Sequence, residues 1–107
     1  MYFYDPAERD PKELVPGINA RTFWGENMLI AVVDLDPDTH MPRHSHHHEQ
    51  LGNVIQGQME LTIGDEKRLV KPGDVYIIPS GVEHEAQTFD ESVKVIDVFS
   101  PVREEYK

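Results

Sequence analysis

Apolar residues fall in short runs, and nearly every run is closed by Gly, Pro or Asp. Residues 28–35 are almost all apolar and rich in branched side chains, as a core strand should be. Met59–Ile63 alternates apolar and polar positions, which predicts a strand with one buried face. The connection Gly64-Asp65-Glu66 is tight, so 67–70 pairs back as a hairpin. Further strands are expected at 21–25, 51–56, Val75–Ile78, 84–89 and Val93–Ser100. They are divided by Asp36-Pro37-Asp38, Gly57, Pro72-Gly73-Asp74, Pro79-Ser80-Gly81, Asp90-Glu91-Ser92 and Pro101. The first seventeen positions carry turn signals at Asp5-Pro6 and Asp10-Pro11. There, 12–17 reads as a turn or the end of a strand, and Tyr2-Phe3-Tyr4 reads as packing, within the chain or at a subunit contact. About eight to ten strands with Gly/Pro turns and no amphipathic helix predict an all-β sandwich or barrel.

Composition narrows this picture. The 107 residues suffice for one domain around one core, so 1–107 is read as a single unit. Twenty acidic against ten basic residues give a formal net charge of −10, which argues against nucleic acid or anionic membrane as a partner. No cysteine is present, so a bound metal must use nitrogen and oxygen donors. No apolar run is long enough for a membrane span, and the first residues lack the pattern of a secretion signal, so the expected location is cytoplasmic.

The candidate chemistry lies in His40-Met41-Pro42-Arg43-His44-Ser45-His46-His47-His48-Glu49-Gln50, where five of the six histidines occur within nine positions. In an extended chain, His44 and His46 share a face, and Gln50 rejoins it after a short bend. The remote His84 closes the group. Imidazole is the commonest protein ligand for mid-row transition metals, so His44, His46, Gln50 and His84 are read as one site for a single divalent ion. Zn, Ni, Mn and Fe all suit such donors. Gln50 has a second reading, as a structural amide beside three ligating histidines. His47 and His48 are expected at the surface or behind the ligands, and His40 in a loop near the mouth.

These residues also carry a resemblance. His44, His46, Gln50 and Gly57 fall on the spacing of the first motif of the cupin superfamily, and Gly73, Pro79, Gly81 and His84 fall on the second. The resemblance implies a double-stranded β-helix, or jelly-roll, barrel. Three positions depart from the pattern. Asp38 stands where the first motif opens with Gly, Thr88 where the second ends in Asn, and Gln50 where Glu is usual. A neutral amide leaves the full charge on the ion, so the site should be a stronger Lewis acid that holds its metal less tightly.

The ending Val95-Ile96-Asp97-Val98-Phe99-Ser100-Pro101-Val102-Arg103-Glu104-Glu105-Tyr106 is similar to that of the small pectin-degradation cupins of the KdgF type. That likeness implies two His, a Gln and a third His on the metal, with conversion of 4,5-unsaturated uronates to the linear ketonised sugar acid. It implies a catalytic role for Asp97, a substrate-binding role for Phe99 and Arg103, and a homodimer. Two other classes stay open: a metal-dependent small-molecule dioxygenase, and a non-catalytic cupin that binds metal or ligand.

Overall fold

The computed structural model describes Met1–Lys107. Ten strands form two sheets, with only two single-turn 3₁₀ segments, Pro6–Glu8 and Glu104–Tyr106. The strands are β1 (Lys12–Val15), β2 (Ile18–Trp24), β3 (Leu29–Leu35), β4 (His40–His44) and β5 (Glu49–Gln56). They continue with β6 (Met59–Ile63), β7 (Glu66–Val70), β8 (Val75–Ile78), β9 (His84–Thr88) and β10 (Val93–Ser100). The larger sheet has the order β1-β2-β3-β10-β5-β8 and the smaller one β4-β9-β6-β7. Every neighbouring pair is antiparallel. This is the all-β arrangement that the run pattern predicts, and its two facing antiparallel sheets agree with the jelly-roll barrel that the cupin resemblance implies. No helix is long and apolar enough to cross a membrane.

Alternation decides which side chains meet between the sheets. In β10, Val93, Val95, Asp97 and Phe99 are buried, while the residues between them are half-exposed. In β5 the inward set is Gln50, Gly52 and Val54. In β9 it is His84, Ala86 and Thr88. Ile18, Leu29, Val54, Ile78, Val93 and Val95 are the largest apolar side chains with almost no exposure, and they fill the core behind the site. Successive side chains alternate across a strand, so a shift of one residue would turn Asp97 and Phe99 outward.

Two positions that depart from the cupin motifs have local explanations. Asp38 has φ of 51°, in the left-handed region that glycine occupies freely and that Asp tolerates better than most residues. Thr88 is buried, and its hydroxyl donates to the Asp36 carbonyl at 2.6 Å and accepts from the Thr39 amide at 2.8 Å. It therefore ties β9 to the turn that Asp38 makes.

The start of the chain differs from the expectation. Lys12–Val15 is a complete edge strand, and β2 begins at Ile18 rather than Arg21, because Gly17 at φ 86° turns the chain between them. Tyr2 and Phe3 do not pack within the chain; they are 93% and 89% exposed. Only Tyr4 makes an aromatic contact, with Phe23 at 5.6 Å between ring centroids. His40 is the first residue of β4, not a loop residue, and lies 3.9 Å from a Glu85 carboxylate oxygen.

Candidate metal centre and cavity

His44 and His84 face each other in register on β4 and β9, with ring centroids 4.3 Å apart. His46 joins them from the segment that crosses from β4 to β5. Its ring centroid is 5.0 Å from that of His84 and 5.9 Å from that of His44. The three histidines do not converge as residues of one strand. β4 ends at His44, and a bend at His47 and His48 brings His46 back over the site and delivers Gln50 to β5. One ring nitrogen from each of His44, His46 and His84 lies within 4.8 Å of the others.

The backbone fixes which nitrogen each ring presents. His44 Nδ1 is 2.7 Å from the Pro42 carbonyl, His46 Nδ1 is 3.0 Å from the His48 carbonyl, and His84 Nδ1 is 3.0 Å from the Val82 carbonyl. A carbonyl oxygen only accepts, so each Nδ1 carries the proton and each Nε2 offers a lone pair. Burial lowers the His46 pKa to about 4, with Arg103 and His84 adding to the effect. His84 is lowered too, chiefly by burial. Both rings are neutral near neutral pH, the state a metal ligand requires.

Gln50 is buried on the opposite sheet, with its Oε1 3.1 Å from His46 Nε2. Its side chain also hydrogen-bonds Asp97. A carboxylate only accepts, so the Gln50 amide donates to Asp97 and turns its oxygen toward the histidines. With the His46 proton on Nδ1, Oε1 and Nε2 of His46 both present lone pairs at close range, an arrangement that a shared cation would satisfy. The donor set of three imidazoles and one amide oxygen fits a divalent transition ion.

Asp97 and Phe99 project inward from β10. Across the sheet, Asp97 is in register with Gly52 of β5, and Gly52 with Tyr76 of β8. A Cβ on Gly52 would fall 2.0 Å from the Tyr76 ring, so only glycine lets that ring lie across β5. The Tyr76 hydroxyl thereby reaches Asp97 and donates to Oδ1 at 2.7 Å. Burial raises the Asp97 carboxyl from 3.8 to about 6, against the opposing effects of the Tyr76 and Gln50 hydrogen bonds and of Arg103. Burial also pushes the Tyr76 hydroxyl well above its ordinary value, and Asp97 adds to that.

The tail completes the cavity. Arg103 is 9% exposed, its guanidinium carbon lies 3.9 Å from the centre of the Tyr106 ring, and its Nε donates to Glu105 at 2.7 Å. Phe99 meets Tyr106 edge-on at 5.4 Å and His46 at 5.8 Å. Lys12 holds the tail by donating to the carbonyls of Glu105 at 2.6 Å and Lys107 at 3.1 Å. His44, Gln50, His84, Asp97, Phe99 and Arg103 all line one cavity.

His47 is exposed, whereas His48 is buried with its ring 5.6 Å from that of His46. Tyr76, Glu105 and Tyr106 were not legible as site residues. The one sequence signal for Tyr76 is Gly52, a glycine inside an apolar strand, which marks close approach by another group.

Residues 31–99 match the family described as the cupin domain. The chain is 31% identical to the pectin degradation protein KdgF of Dickeya dadantii over 107 residues, covering 98% of this chain and 96% of that protein. It superposes on the structure of KdgF from a Halomonas species with a TM-score of 0.90 at 31% identity, covering 98% of this chain and 97% of the other. An RmlC-like cupin from Shewanella frigidimarina matches with a TM-score of 0.92 at 20% identity, over 100% and 96% of the two chains, a likeness of fold.

Proposed function

The chain belongs to the cupin family, and on that premise we propose that it is a metal-dependent enzyme of pectin or alginate breakdown that opens and ketonises 4,5-unsaturated uronates. The observation that carries this reading is a single cavity lined by His44, Gln50, His84, Asp97 and Arg103, with His46 beside it. Its support from relatives is the likeness, over nearly the full chain, to a protein named for pectin degradation.

The substrate is a cyclic enol ether that carries a carboxylate. Its conversion is an isomerisation, with no net gain or loss of atoms. Arg103 offers a planar guanidinium to the substrate carboxylate, with Nε already engaged by Glu105 and the two terminal nitrogens left to bind. Phe99 and Tyr106 form an aromatic wall that excludes water. Asp97 takes the proton of the anomeric hydroxyl as the ring C1–O5 bond breaks, which leaves an aldehyde at C1 and an enolate over C4, C5 and O5. The same carboxyl then returns its proton to C4, giving the linear keto acid. A pKa of about 6 suits both halves of that transfer, since the group can accept and release a proton near neutral pH. Nε2 of His44, His46 and His84 and Oε1 of Gln50 would hold the ion, whose positive charge supplies Lewis acidity to the substrate oxygens.

Proton NMR of 4,5-unsaturated galacturonate incubated with metal-loaded protein tests the assignment. The vinyl proton at C4 should give way to methylene signals faster than in buffer alone. An unchanged spectrum beyond the spontaneous reaction would refute it.

A further inference from the structure

Asp97 and Arg103 are the two ionisable side chains among the buried residues that carry full opposite charges when ionised, and they line the same cavity. No ion pair joins them. Each is instead held by its own partner at 2.7 Å: the Tyr76 hydroxyl on Asp97 Oδ1, and Glu105 Oε1 on Arg103 Nε. Opposite charges in a poorly solvated cavity attract strongly, and a direct carboxylate–guanidinium pair would be the simplest way to satisfy both. We propose that Tyr76 and Glu105 are positioning residues that hold Asp97 and Arg103 apart and so keep the space between them open for an anionic substrate. The proposal rests on the uronate reading for the identity of that substrate, but the two tethers are properties of the chain itself.

The two tethers differ in chemistry. Tyr76 is a neutral donor, so it satisfies one oxygen of Asp97 without supplying a cation. That holds the carboxyl in place and leaves its second oxygen facing the cavity, whereas a paired guanidinium would occupy that space. The geometry for this contact is built into the sheet. Asp97, Gly52 and Tyr76 form one row across β10, β5 and β8, and the missing side chain at Gly52 is what lets the Tyr76 ring cross. Glu105 works from the exposed side of the tail, where its carboxylate neutralises Arg103 through Nε. Stacking on Tyr106 holds the same guanidinium from its face.

Tyr76→Phe keeps the ring and removes only the hydroxyl. In the metal-loaded variant, kcat should fall about 10- to 100-fold with the metal content unchanged, and a crystal structure should show the Asp97 carboxylate turned onto Arg103. Glu105→Gln should act on the other partner and raise KM about 3- to 10-fold while kcat stays within about twofold of wild type. A Tyr76→Phe protein with wild-type kcat, or one whose Asp97 stays clear of Arg103 in the crystal, would overturn the proposal. The crystallographic arm stands even if the wild-type protein proves inactive on unsaturated uronates. In that case the uronate reading fails while the tethers are still tested.

Discussion

Gln50 Oε1 and His46 Nε2 lie 3.1 Å apart, and both are acceptors. The His48 carbonyl keeps the His46 proton on Nδ1, and the Gln50 amide group turns toward Asp97. The close pair of lone pairs would suit a cation, and it makes Gln50 the link between the three histidines and Asp97.

Gln50→Glu should separate affinity from activity. A carboxylate in place of the amide adds a negative charge to the donor set, so the metal should be held on the order of tenfold more tightly, about 1.4 kcal/mol. Turnover should fall, because the added charge weakens the Lewis acid and raises the Asp97 pKa further. Competition with a chelator measures the first effect and the steady-state rate the second.

Asp97→Asn should abolish turnover and stabilise the metal-free protein at neutral pH. Burial raises the folded-state carboxyl from 3.8 to about 6. Between those values the folded chain holds a proton that the unfolded chain has released. Stability from this residue therefore falls as pH rises through the window and stays lost above it. The difference corresponds to roughly 3 kcal/mol at most. His46, lowered to about 4, contributes the opposite slope over a similar range. The quantity to measure is thus the difference between the wild-type and Asp97→Asn denaturation curves, which should shrink toward zero as pH falls to about 4.

Arg103→Lys keeps the charge but loses the planar fork and its stacking on Tyr106. KM for the uronate should rise by about tenfold or more, with a smaller effect on kcat. Equal KM values for the two proteins would show that Arg103 does not bind the substrate carboxylate.

Arg103 and Tyr106 of the tail border the cavity that the substrate enters. Lys12 ties the tail down through two carbonyls, and Lys12→Met should free it. Proteolysis of the last residues should speed up several-fold and KM should rise, while global stability changes by less than about 1 kcal/mol because Lys12 is a surface residue.

Much of this arrangement was legible in the sequence, for reasons that also mark where legibility stops. Strict alternation in Val93–Ser100 specifies which side chains share the inward face, so Asp97 and Phe99 fall together. The branched run ending at Leu35 reads as a strand because it is apolar at every position but Asp34. β1 was harder, because Lys12–Val15 is a short edge strand whose pattern is shared by turns. The histidine segment was read as extended through His46 with a short bend before Gln50; the bend is there, at His47 and His48, but the strand already ends at His44, and no glycine or proline announces that end. The contact of Tyr76 with Asp97 depends on register across three strands, which periodicity within any one of them cannot supply.

The most direct measurement is the rate at which 4,5-unsaturated galacturonate loses its conjugated alkene, followed by ultraviolet absorbance against the spontaneous reaction. Metal-loaded protein should accelerate the loss, chelation should return it to the spontaneous rate, and restoring the ion should restore the acceleration. A rate equal to the spontaneous one with the metal bound would contradict the account.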